Sequence, residues 1–123
     1  MKIINQEKLE QYPKLIAFLE AEEEAEIREK ARFLKATYDV YNFSSYLHSQ
    51  KKEKFSVLYV LMEFDKPHHL AIFLENPVNQ ELLTDEQILI HAIFYGHIEI
   101  IKLLLIGLWT TALADTLAAP HNF

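Results

Sequence analysis

Cysteine is absent from this chain of 123 residues, which excludes disulfides and thiolate zinc sites and fits a reducing compartment. Only two glycines and four prolines are present, too few for the many tight turns of an all-β fold. The chain has no Gly-rich phosphate loop, no Gly-x-Ser-x-Gly elbow and no His-Glu-x-x-His pair, so the common hydrolase and nucleotide-binding signatures are missing. Long apolar runs are also lacking. The longest charge-free stretch, Leu103 to Ala114, falls short of the ~20 residues that a membrane-spanning helix needs. Met1 to Asn5 includes no apolar segment of signal-peptide length, so a cytoplasmic protein is expected. Positive charge is scarce in the second half: from Phe55 onward eight acids face two lysines, which accounts for the whole net charge of −6. Such a surface repels phosphate backbones and argues against nucleic acid as a ligand.

What is present points to helices. Half the residues are hydrophobic, and a domain of this size buries roughly two thirds of its unfolded surface, enough for one core. Asn5 suits the cap of a first helix, Pro13 either kinks that helix or opens a new one at its first turn, and Leu15, Ile16, Phe18 and Leu19 supply apolar residues from Pro13 to about Ala21. The acidic run Glu20 to Glu26 reads as a solvated helical face or junction rather than a docking patch for a basic partner. From Ala25 to Leu47 two apolar stripes at helical spacing predict one long central helix covered on two sides. Tyr38 and Tyr41 on one stripe, with Tyr46 nearby, read as half-buried core rather than a binding patch. Ser49 to Lys54 is polar and basic and is expected to be a loop, its lysines solvating a turn rather than holding phosphate.

The most informative stretch is His91-Ala-Ile-Phe-Tyr-Gly-His-Ile-Glu-Ile-Ile-Lys-Leu-Leu-Leu105. It predicts a helix, a tight turn at Gly96-His97 and a second helix running back, with Ile98, Ile101, Leu104 and Leu105 on one face. From Ala92 onward it closely resembles the ankyrin-repeat run Ala-Ala-x-x-Gly-His-x-Glu-Ile-Val-Lys-Leu-Leu-Leu. Ser56 to Asn76 looks like a degenerate first copy, with Asp65 falling on Gly96 at an offset of 31 residues, near the ~33-residue ankyrin period. Ser56-Val57-Leu58-Tyr59 stands where that family has Thr-Pro-Leu-His, and Tyr59 and Ile90 take the place of its histidine. Pro67 opens the second helix of this copy. Asn76 to Leu83 is expected to be the inter-repeat loop, and Thr84 with Gln87 to form a capping box for a helix beginning near Asp85. Gly107 is expected to end the last repeat. A short helix over Ala112 to Ala119, capped by Thr110 or Thr111 and stopped by Pro120, is expected to cover the open end.

The resemblance implies one all-α domain of ankyrin-like stacked helical hairpins: residues 1–54 an N-terminal helical part, 55–107 two repeats, 108–123 a C-terminal cap. Two repeats rarely stand alone, so the N-terminal helices must serve as neighbours, either as divergent repeats or as an unrelated cap. It also implies a non-catalytic interaction module that grips another protein with its inner helices and loop tips. Those positions fall on Glu63, Phe64, Phe94 and Tyr95 at the helix ends, and on Glu81 and Asp85 near the loop. Three aromatics at positions expected to face solvent suggest a binding face, and the acids beside them suit a partner with a basic surface. The alternative is a structural protein that self-associates through the same aromatics. No cofactor and no metal are expected: His68 and His69 project about 100° apart on a helix, and His91 and His97 flank a turn.

Overall fold

A computed structural model describes residues 9–44 and 49–118, with the backbone alone for 40–44, 49–53 and 109–118. Its elements are helix α1 (Pro13–Glu20), α2 (Glu24–Ala31), strands β1 (Thr37–Ser44) and β2 (Ser49–Ser56), helices α3 (Val57–Glu63), α4 (Pro67–Phe73) and α5 (Pro77–Gln80), a 3-10 turn (Glu81–Thr84), and helices α6 (Gln87–Tyr95) and α7 (Ile98–Ala118). The chain is therefore mostly helical, as its composition predicts, but not all-α. The expected cap at Asn5 and stop at Pro120 lie outside the described residues.

Three helical hairpins follow one another: α1–α2, α3–α4 and α6–α7. Proline opens α1 at Pro13 and α4 at Pro67, where its missing N–H has no helical partner to lose. Ser56 caps α3, its hydroxyl accepting from the Leu58 N–H at 3.2 Å. Two of the three turns are left-handed. Asp65 sits at φ 51° and Gly96 at φ 70°. At Asp65 the Lys66 N–H reaches back to the Leu61 carbonyl at 3.0 Å, the six-to-one bond of a Schellman end. The first hairpin turns differently, with Ala21 and Glu23 in extended conformation.

The second helices pack side by side, α2 on α4 and α4 on α7, while α3 packs on α6. Helix α1 meets α4 through Phe18, whose ring lies edge-on to His69 at 5.3 Å. One apolar core runs through all three hairpins. Leu15, Phe18, Ile27, Leu61, Phe73 and Leu104 are among its fully buried members. Polar ties join the hairpins as well. Buried His69 donates through Nε2 to the Ala21 carbonyl at 2.9 Å, and His97 Nε2 to the Glu63 carbonyl at 3.3 Å. The Arg28 guanidinium clamps Glu75 with two bonds of 2.9 and 2.7 Å, which raises the arginine pKa and lowers that of the carboxylate.

The expected central helix over Ala25–Leu47 is corrected: α2 stops at Ala31, and β1 pairs antiparallel with β2 in register Thr37↔Ser56 to Ser44↔Ser49. The segment Thr37-Tyr-Asp-Val-Tyr-Asn-Phe is rich in β-branched and aromatic residues, whose strand preference outweighs an apolar spacing that also fits a helix. Tertiary contacts settle the choice. Tyr38 stacks on Phe55 across the strands at 5.7 Å, and the Tyr12 ring meets both edge-on at 5.3 and 5.2 Å. The Tyr12 hydroxyl also donates to the Asp39 carbonyl. Ser49 to Lys54 is accordingly strand, not loop.

Two further expectations change. Asn76 to Leu83 is not irregular loop but α5 and the 3-10 turn, begun by the Asn76 side chain accepting from the Val78 N–H at 3.1 Å. The capping box is absent: Thr84 donates to the Glu81 carbonyl, and the Asp85 carboxylate accepts the Gln87 N–H at 2.9 Å instead. Finally, Gly107 does not end its helix, and among the described residues the separate cap expected from Ala112 is replaced by α7, which continues to Ala118. A Cβ at Gly107 would stand 3.0 Å from the Leu83 side chain, so glycine here serves close packing rather than termination. Among the described residues, no helix is long and apolar enough to cross a membrane.

Candidate interaction face

The six residues singled out from sequence fall into two groups, one at each end of the row formed by α3 and α6. Glu63, Phe64, Phe94 and Tyr95 lie at the C-terminal ends of these helices. Glu81 and Asp85 lie at the opposite end, where α3 and α6 begin.

Phe94 is the most exposed large apolar residue of the chain's described part, at 82 %. It stands one residue before the end of α6, and its spacing from the buried Ile88 and Ala92 turns it to the opposite side. Tyr95 differs. Its ring meets Phe94 edge-on at 5.8 Å, stacks on His97 at 6.4 Å, and packs partly buried against the core. Burial and then the nearby Glu63 carboxylate raise the Tyr95 hydroxyl above its ordinary pKa. Burial likewise raises the Glu63 carboxyl, one of whose oxygens is enclosed without a hydrogen-bond partner. His97 Nδ1 stands 3.7 Å from the Asp65 carboxylate, so the two left-handed turns touch through this ring. The structure thus brings Glu63 and Tyr95 together, with Phe94 projecting from them.

Phe64, 39 % exposed, is set apart from that cluster. It lines a surface cavity of about 420 Å³ with Leu9, Ile16 and Leu19 from the α1 side, rimmed by Glu10, Glu20 and Lys66. The sequence offered no sign of this cavity, since it forms between α1 and the end of α3, segments some 45 residues apart.

At the other end, the Tyr59 hydroxyl donates to the Asp85 carboxylate at 2.9 Å and its ring meets His91 edge-on at 5.1 Å. Burial, then this bond, raises the Tyr59 hydroxyl well above its ordinary value. Tyr59 therefore ties the second hairpin to the start of the third. Glu81 and Asp85 border an open cleft of about 340 Å³ with Thr37, Ser56 and Tyr59. Among the described residues, no group of three His, Asp or Glu side chains converges as metal ligands. The arrangement offers apolar anchors beside carboxylates, which is chemistry for recognition. Comparison with known proteins finds no family model, no curated protein and no solved structure that matches this chain.

Proposed function

We propose that this chain is a non-catalytic interaction module of the ankyrin-repeat type, which binds a partner protein through the face formed by the ends of α3 and α6 and the loop before α6. The observation that carries this reading is the pair of left-handed turns, Asp65 and Gly96, 31 residues apart, each joining two antiparallel helices. The rows of first and second helices run in the order that stacked repeats require, and β1–β2 stands where a connecting finger would stand. On this reading α1–α2 is a divergent first repeat rather than an unrelated cap.

Phe94 is the central anchor, because a large exposed aromatic beside partly buried groups is the usual composition of a binding hot spot. Glu63 and Tyr95 flank it, Glu81 and Asp85 supply acidic groups at the other end of the α3–α6 row, and the Phe64 cavity takes an apolar side chain of the partner. The test uses a partner identified by photo-crosslinking from position 94. Phe94→Ser should weaken its binding by about 2 kcal/mol or more, while Ile106→Ser, on the side of α7 that borders α4 and the 3-10 turn, should leave it unchanged. Tyr95 is left intact in this experiment, because it also packs against the core. Equal affinity for wild type and Phe94→Ser would overturn the assignment.

A further inference from the structure

The two joints of the stack are built from different ionisable groups. Between the first and second hairpins stand the Arg28–Glu75 clamp and buried His69, which bonds the Ala21 carbonyl at 2.9 Å and lies edge-on to Phe18. Between the second and third stand Glu63, Asp65, Tyr95 and His97. Here one Glu63 carboxyl oxygen is enclosed and, among the described residues, meets no hydrogen-bond partner. The His97 ring bonds the Glu63 carbonyl at 3.3 Å and stands 3.7 Å from the Asp65 carboxylate. Acid acts on these joints in opposite senses. A proton on His69 places a charge inside the first joint, with Lys66 and His68 of the same sign nearby. A proton on Glu63 instead removes an enclosed charge that no donor meets, and one on His97 gives Asp65 a cation.

The other charges bordering the joints do not reverse this. Glu20 and Glu22 flank Ala21 but are exposed, and Glu24 shares Arg28 with Glu75. On α7, Glu99 and Lys102 pair with each other at the surface. His91 lies against Tyr59 at the opposite end of α6 from Glu63, and Lys54 stands before the start of α3. Burial, reinforced by Lys66 and His68 and opposed by the Ala21 and Phe18 carbonyls, holds His69 below its usual 6.5; burial holds Glu63 above its usual 4.5. Neutral His69 therefore contributes fully above pH 6.5 and less as the pH falls through its lowered value. Neutral Glu63 contributes fully below pH 4.5 and less as the pH rises through its raised value. Between these limits, falling pH weakens the first joint and strengthens the second. The bond from Arg28 holds the Glu75 carboxyl below 4.5, so the clamp survives this window and fails beneath it.

We propose that acid opens the stack at one joint only: the α1–α2 hairpin comes away from α4 while the second and third hairpins hold together. Opening withdraws Ile16 and Leu19 of α1 from the cavity beside Phe64 and leaves the Phe94 end in place. Tyr12, wedged against Tyr38 and Phe55, carries no group that titrates in this window and keeps the start of α1 tethered to the β-hairpin. The movement is thus a local opening, in which one cooperative unit leaves the core before the rest. It is a property of the fold and stands apart from the partner-binding reading.

Native-state hydrogen exchange, corrected for the intrinsic pH dependence of amide exchange, reads the opening of each helix separately. From about pH 6.5 to about pH 5, protection of the α1 and α2 amides should fall severalfold while that of α6 rises. His69→Gln should flatten the α1–α2 profile, whereas His68→Gln, at the exposed neighbouring position, should retain most of it. Glu63→Gln should remove the rise in α6. Parallel loss of protection in all three hairpins overturns the inference. That comparison needs only the wild-type chain, so it decides even if His69→Gln fails to fold. Constant protection of α1 and α2 across the window overturns it as well. So does a wild-type profile in His69→Gln, or a response that disappears in His68→Gln.

Discussion

The left-handed turn at Gly96 allows a clean measurement of backbone strain. Gly96 adopts φ 70° and ψ 18°, and a Cβ added there would meet nothing within 4 Å. Alanine at this position therefore suffers no clash with the rest of the fold, only the local penalty of the left-handed region. That penalty is about 1–2 kcal/mol for an L-residue. Alanine regains part of it because it restricts the unfolded chain, by about 0.4–1 kcal/mol. Gly96→Ala should accordingly destabilise by about 1 kcal/mol, or about 4 °C in Tm for a chain of this length. Gly96→Asn should lose less, since short polar side chains tolerate this conformation better. Asp65 already shows that tolerance at φ 51°, in the equivalent turn. Urea titration followed by circular dichroism gives the ranking: wild type, then Gly96→Asn, then Gly96→Ala. If Gly96→Ala proves as stable as wild type, the turn is not left-handed and the match between the two hairpins fails.

Leu104→Ala should cost about 2–5 kcal/mol by the same urea titration, because Leu104 is fully buried where α7 faces α4; a loss under about half a kcal/mol would place it at the surface. His69 should make the protein acid-sensitive. Burial holds its pKa below the ordinary 6.5, so the unfolded chain takes up the proton first. The stability this neutral ring contributes is complete above pH 6.5 and falls as the pH drops through the lowered folded value. In His69→Gln, which cannot titrate, the urea midpoint should change less across that window; an identical pH profile would show that His69 is not the sensor.

How much of this was legible in the sequence depended on whether the signal was local. Gly96, Asp65 and Pro67 act through their own backbone preferences, and each sits where those preferences place it. The helices from Pro13 and around Val57, Gln87 and Ile98 follow from apolar spacing. The β-hairpin did not, because Tyr38, Val40, Tyr41 and Phe43 satisfy an imperfect helical stripe as well as a strand. What decides between them is Tyr12, far away in sequence, wedged against Tyr38 and Phe55. Glycine misleads at position 107, where its usual role as a helix terminator hides the actual cause, the nearby Leu83 side chain. Of the candidate site, the exposure of Phe94 was expected from the resemblance to ankyrin repeats, and its helical spacing from buried Ile88 and Ala92 accounts for it. The partial burial of Tyr95 and the pocket beside Phe64 depend on which hairpins neighbour one another, and no periodicity encodes that.

How the three hairpins meet accounts for where apolar surface stays exposed. A hairpin of helices has two apolar sides, and a chain must cover both or leave one exposed. The first hairpin meets its neighbour with core, with the Arg28–Glu75 clamp and with the bond from His69 to the Ala21 carbonyl. The second meets the third with core, with the His97 bond to Glu63 and with Tyr59 on Asp85. Behind the third hairpin the sequence continues the same apolar pattern, yet α7 runs straight on past Gly107 instead of folding back. Where it passes the 3-10 turn, Gly107 lets it approach the Leu83 side chain closely. An exposed face built from isoleucines, rather than from the lysines and glutamates that close a stack, has the composition of an internal surface.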